Sequence, residues 1–164
     1  MALFGENRDI SLFRHLNREL INRIIEQKVG YYKLDLENTS NEINVYGESA
    51  KKFYRDPVLV NALLERGDQQ YSNTSNGYDV TRNLVVRLLR DDLVEANLKP
   101  EVGDVILWND DYFEVDSLNE NQLIVGKDPS YSYDSTVNNF GSSWSIILTA
   151  HYVRPERFAI TEQR

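Results

Sequence analysis

The chain contains no cysteine in its 164 residues, which excludes a disulfide framework, a thiolate metal site and a cysteine nucleophile. Histidine is nearly as scarce. Only His15 and His151 occur, and neither stands in a nucleophile–base pattern, an HExxH pair or a paired ligand spacing. Neither GxGxxG nor GxxxxGK[ST] is present, and Gly47, Gly67, Gly103 and Gly126 fall at strand breaks rather than around a phosphate cradle. No apolar run approaches the ~20 residues that cross a bilayer as a helix. The start, MALFGENRDISLFR, brings in acidic and polar residues too early for a signal peptide. A soluble intracellular product is the expectation, with no membrane partner. Basic residues are also short, with 18 Lys and Arg against 26 Asp and Glu, a net charge of −8. That balance disfavours a sequence-reading nucleic-acid binder, which must neutralise phosphates.

What is present is strand-forming. Val102 to Gly126, VGDVILWNDDYFEVDSLNENQLIVG, reads as three short strands, Val105 to Trp108, Tyr112 to Ser117 and Gln122 to Val125. The runs are aromatic and β-branched, and the breaks at Asn109-Asp110-Asp111 and Asn119-Glu120-Asn121 use residues that tolerate turn dihedrals. Such a meander needs other segments to cover one face and pair its edges. It also carries the charge. From Glu101 to Asp134 nine acids face one base, Lys127, a local excess equal to the net charge of the whole chain. This is either the solvated side of hairpins or a functional acidic surface. Asn109-Asp110-Asp111 has the acidity to attract a cation, but a tight turn uses the same residues, so no metal and no cofactor is expected.

Ahead of the meander, Leu12, Phe13, Leu16, Leu20, Ile21, Ile24 and Ile25 recur at spacings of three and four, which predicts an amphipathic helix over about 10–28. Asp9 or Ser11 can cap it, Glu19 and Arg23 form a favourable i,i+4 pair, and Gly30 is the predicted stop. Arg14, Arg18, Asn22, Arg23 and Glu26 are placed on or near the wet side. The apolar side is read as packed on the chain's own barrel, or alternatively as also buried against a neighbouring copy, with Phe13, Leu16 and Leu20 as contact candidates. Predicted strands follow at Tyr31 to Leu36, Ile43 to Tyr46, Lys52 to Arg55, and Val58 to Arg66, where Pro57 permits only an edge or a strand start. Gly67 to Asp79 is a predicted loop containing Tyr71 and Asn76. Val80 to Arg90 is a predicted strand, and Asp91-Asp92 a predicted N-cap for a turn of helix over Leu93 to Leu98, ended by Pro100. Lys127 to Ser143 is a second predicted loop, rich in aromatics (Tyr131, Tyr133, Phe140) and containing Asp134. Trp144 to Val153 is the last predicted strand, with Trp144, Ile146, Leu148, Ala150 and Tyr152 on one face, and residues 155–164 a tail. The whole, 1–164, reads as a single domain, mainly β. It is a small barrel or sandwich with an N-terminal amphipathic helix and long loops.

Three stretches carry a resemblance to a known family: the helix running into GYYKLDLE (Gly30 to Glu37), INVYGESAKKFY (Ile43 to Tyr54), and LKPEVGDVILWNDDYFEVDSLNENQLIVGKDPSY (Leu98 to Tyr131). In order, over about residues 10–155, the chain resembles the neck, head-completion or head-closure proteins of contractile-tailed bacteriophages. The resemblance implies a non-enzymatic virion protein, assembled in the host cytoplasm into a homo-oligomeric ring, expected to be a hexamer, at the head–tail junction. Its implied neighbours are the portal or adaptor ring on the capsid side and the tail terminator or tail on the other, with phage DNA passing through unread. Asp110, Asp111, Glu114 and Asp116 are then candidates for an acidic lumen that repels DNA over roughly 8–10 Å. Tyr131, Tyr133, Asp134, Phe140, Tyr71 and Asn76 are candidates for interface or gate loops. A tail-terminator or baseplate component, a monomeric β-barrel binding module and a hydrolase using His151 are the alternatives.

Overall fold

A computed structural model describes residues 7–37, 39, 52–67, 69–74, 77–123, 143–154 and 158. Its centre is a closed barrel of six antiparallel strands in the order β1-β2-β5-β8-β7-β6, with β6 returning to β1. The ranges are β1 Lys28–Tyr32, β2 Val58–Arg66, β5 Asn83–Leu89, β6 Val105–Trp108, β7 Asp111–Leu123 and β8 Ser143–Val153. A hairpin of β3 (Gln70–Thr74) and β4 (Gly77–Thr81) is inserted between β2 and β5. The mainly β class and the N-terminal helix predicted from the sequence are therefore found, and the β architecture is a barrel rather than a sandwich. Closure leaves the six strands without a free edge.

Alternation builds the interior. Leu84, Val86 and Leu88 from β5 meet Ile146, Leu148 and Ala150 from β8, and Val29, Tyr31, Val60, Ala62, Leu93, Ile106, Phe113 and Val115 complete the packing. Small barrels are filled by side chains in this way rather than left as pores. Outside the wall lies a second apolar cluster of Tyr32, Val105, Tyr112, Val153 and Phe158. Phe158 sits edge-on to Tyr54 at 5.3 Å and 6.1 Å from Tyr112, so one residue of the predicted tail is anchored on the barrel.

Several local expectations are corrected. The third strand of the meander does not exist as a separate element, because β7 runs on through Asn119-Glu120-Asn121 and pairs along β8, with register shifts at Val115/Ser117 and Asn119/Gln122. A β-bulge inserts an extra residue and accepts the same residue types as a turn, which is why the two look alike in sequence. The turn at Asn109-Asp110 is real: both residues have positive φ, 53° and 65°, the geometry of the two-residue hairpin turn between Trp108 and Asp111. Gly67 to Asp79 is not one loop, since it supplies most of the β3–β4 hairpin, and Val80 belongs to β4 rather than β5.

The helix also departs from its forecast. The α-helix α1 spans Asn7–Glu19 and passes into a π-helical turn over Leu20–Ile25. The chain leaves it at Glu26, whose left-handed φ of 48° lets its N–H reach the Ile21 carbonyl at 3.0 Å, a five-residue span. Gly30 is not the stop. It lies mid-strand in β1, paired to Leu59 on one side and Leu107 on the other, and a Cβ there would come 3.4 Å from that of Leu107. The second helix, α2, spans Arg90–Glu95, several residues earlier than predicted, and Leu89 precedes it without a side-chain cap. Asp91 and Asp92 lie in its first turn and have other partners.

Candidate functional site: the outward face of the N-terminal helix

The long-range partners of α2 decide how α1 sits. Arg14 forks onto Asp91, with Nε donating to Oδ2 at 3.1 Å and Nη2 to the other oxygen. One turn later Arg18 lies with Nε 2.9 Å from Asp92 and donates through Nη2 to Glu95. Ile21 is buried below them, and Asn61 of β2 donates to Asn22 at 3.1 Å. Positions 14, 18, 21 and 22 thus form the docking side, so the assignment of Arg14, Arg18 and Asn22 to the wet side is wrong. Arg23 and Glu26 do remain exposed.

The consequence is an inverted helix. Leu12, Phe13, Leu16, Leu20, Ile24 and Ile25 are all exposed, Leu16 at 50% and Ile24 at 72%. Arg18 lies about 200° around the helix from Leu16 at 100° per residue, so the apolar stripe points away from the barrel. The predicted contact residues Phe13, Leu16 and Leu20 are together on this stripe, and the expectation that it packs on the chain's own barrel is not met. The fork geometry holds the orientation, while each partly exposed ion pair contributes only about 0.2–1 kcal/mol. Replacing Arg14 and Arg18 together by Ala should therefore speed amide exchange across 7–25 several-fold and leave protection in β5 and β8 unchanged. Equal loss in the strands would show that the helix is not an independent unit.

The acidic candidates lie together along the β6–β7 turn and β7, but three of them have partners of their own. Asp111 pairs with Arg82 at 3.0 Å, Glu114 pairs with Lys52, and Asp116 lies 2.7 Å from Nδ1 of His151, while Asp110 is exposed in the β6–β7 turn. Pairing lowers the field that such carboxylates present to a polyanion. Tyr71 is exposed on β3, its hydroxyl 3.0 Å from Gln69. Tyr131, Tyr133, Asp134, Phe140 and Asn76 lie outside the described residues, as does the predicted strand Ile43 to Tyr46. Among the described residues no group of three or more His, Asp and Glu side chains is gathered as a metal site.

One residue that sequence reasoning missed is Asp104, fully buried and read there only as a strand opener. Its carboxylate accepts from the Tyr31 hydroxyl at 2.6 Å, Lys33 Nζ at 3.1 Å, the Leu34 amide at 2.9 Å and the Glu101 amide at 2.8 Å. Four donors tie the exit of β1 to the turn that enters β6. Burial, then the Asp104 charge, then the hydrogen bond to it push the Tyr31 phenol far above its usual range. The hydrogen bond from Lys33 and that cation's charge hold the exposed Glu101 carboxyl below its usual range. Asp104 is fully buried and its four donors come from both ends of the junction, so this node acts as a structural clamp. Comparison of the sequence with protein-family models and with curated proteins finds no match.

Proposed function

We propose that this chain is a structural virion protein, a subunit of the ring that joins head to tail in a tailed phage, closing the capsid after packaging and providing the tail attachment surface. The observation that carries the reading is the helix α1, clamped by Arg14 and Arg18 so that Leu12, Phe13, Leu16, Leu20 and Ile24 face outward. A side-chain-filled barrel that displays an apolar stripe is suited to work by contact with neighbours. The ordered resemblance of Gly30 to Glu37, Ile43 to Tyr54 and Leu98 to Tyr131 to neck proteins supplies the kind of neighbour. The portal or adaptor ring and the tail are the partners in this reading, and the remaining net acidity disfavours a grip on passing DNA. Because Asp111 and Glu114 are ion-paired, any repulsion in a bore is weaker than their formal charge suggests.

The test is direct. Purified chain carrying a gold or antibody label is mixed with DNA-filled, tail-less capsids, with bare capsids lacking the portal and with isolated tail tubes. The expected result is label at the portal vertex alone, followed by acquisition of tails. Label on tail tubes only would replace this reading with the tail-terminator one, and no binding to any particle would overturn both.

A further inference from the structure

Outside the barrel wall, four strands contribute to one apolar floor. Tyr32 of β1 stands opposite Val105 of β6, and Tyr112 of β7 opposite Val153 of β8. All four are buried, although the barrel interior is filled by other residues. Tyr54 and Phe158 pack on this floor. Phe158 is 8% exposed, edge-on to Tyr54 at 5.3 Å and tilted on Tyr112 at 6.1 Å. The backbone around Tyr54 forms a short ladder with the exit of β1. Leu34 and Tyr54 are bridged, the Arg55 amide donates to the Lys33 carbonyl, and the Asp35 amide donates to that of Phe53, each at 2.9 Å. Phe158 joins this segment through a single parallel bridge to Lys52. A backbone bridge combined with one side chain in a pocket is how an extended peptide is recognised by strand addition. Along RPERFAITEQR, from Arg154 to Arg164, Phe158 is the only aromatic residue among five charged ones.

We infer that this outer pocket is a recognition site for an extended segment bearing an aromatic residue, and that the chain's own segment after β8 fills it in cis, with Phe158 as a displaceable latch. The closed cylinder of six strands includes neither Lys52, Tyr54 nor Phe158. Among the described residues the segment is held by one aromatic side chain and one bridge. That is the contact set of a weak ligand rather than of a strand in the sheet. The edge-on approach to Tyr54 selects an aromatic over an aliphatic side chain, because the ring edge and the ring face carry opposite partial charge. Four residues separate Phe158 from Val153, so the latch refills the pocket at high effective concentration and a free segment binds only when it is withdrawn. Withdrawal uncovers Tyr54 and loosens the ladder between 33–35 and 53–55 without reaching the interior. The inference does not depend on the neck reading, and it is tested on the purified chain without any particle.

The full chain carrying Phe158→Ala serves as the receptor, and a labelled synthetic peptide of Arg154 to Arg164 as the probe. The variant should keep the amide protection of β5 and β8, while the amides of Asp35 and Arg55 exchange about tenfold faster or more. The peptide should bind the variant about tenfold more tightly than the wild-type chain, whose own Phe158 competes, and should restore protection at Asp35 and Arg55. The peptide bearing Phe158→Ala should not bind. Equal affinity for the two chains, no binding to the variant, or equal binding of the two peptides would overturn the assignment. So would loss of the barrel in the Phe158→Ala chain, since Phe158 would then be part of the fold rather than a latch.

Discussion

Replacing Asp104 by Ala should destabilise the fold by roughly 4 kcal/mol, the largest single-residue effect expected for a polar position here. The carboxylate is fully buried and accepts four hydrogen bonds, two of them from the backbone amides of Leu34 and Glu101, which have fixed positions. Removal strands both amides, the Tyr31 hydroxyl and one bond of Lys33. Lys33 is the least affected because its side chain is 22% exposed and also binds Glu101 at 2.7 Å. Stranded buried donors cost about 1–3 kcal/mol each before relaxation and water entry reduce the sum. Against a typical total of about 5–15 kcal/mol, the variant should lose a large share of its stability, with a melting temperature lower by about 8–16 °C. Asp104→Asn keeps the shape and one acceptor oxygen but turns an N–H₂ group toward the donors, so about half the loss is expected. The exposed Glu101→Gln should cost under about 1 kcal/mol. Urea midpoints at constant m-value would decide it: a shift for Asp104→Ala no larger than that of Glu101→Gln would mean that the node contributes nothing.

The second large effect is a loss of stability in alkali. The folded Tyr31 phenol is held protonated far above its usual range, chiefly by burial and next by the Asp104 charge. Tyr54 shifts the same way, through burial first and then the charges of Glu114 and Asp104. In the unfolded chain a tyrosine ionises near pH 10. The folded state therefore binds more protons above that pH, and stability falls as pH rises. The contribution is complete below about pH 10 and declines by about 1.4 kcal/mol per pH unit for each buried phenol beyond it. At pH 12 Tyr31 alone should remove roughly 3 kcal/mol. Melting temperatures from pH 8 to 12, followed together with tyrosinate absorbance, should show two or more of the ten tyrosines ionising only as the barrel unfolds. Tyr31→Phe separates this phenol from lysines that titrate nearby. It should flatten the alkaline slope at a neutral-pH cost of about 1–2 kcal/mol for the acceptor left at Asp104. An unchanged slope in that variant would refute the account.

The two effects share one cause. Tyr31 faces the barrel interior while its hydroxyl reaches the turn at the strand's end, so the same ring fills the core and closes it. Asp104 fixes that hydroxyl, and with it the β1–β6 pairing that completes the cylinder. Loss of either should loosen barrel closure before it disturbs β5 and β8, whose interior residues pack against one another across seven paired positions.

How much of this was legible beforehand depends on how local each feature is. Alternation along Trp144 to Val153 marks Ile146, Leu148 and Ala150 as inward, and Pro57 marks where β2 begins, because pleat and ring geometry act within a few residues. The same local signals limited the result, since Asn119-Glu120-Asn121 satisfies a bulge as well as a turn. Gly30 could be read as a helix stop because nothing near it in sequence reveals that Leu59 and Leu107 flank it.

The sequence by itself determined a mainly β chain led by an amphipathic helix, because residue periodicity records which positions avoid water. Only the tertiary structure decided which side of that helix meets the barrel, since its ion-pair partners are 77 residues away. It likewise singled out Asp104 from the six neighbouring acids among the described residues, whose charge is identical, by bringing residues 31–34 around its carboxylate. Periodicity states what a side chain is, whereas burial and pairing depend on distant segments that reach it only when the cylinder closes.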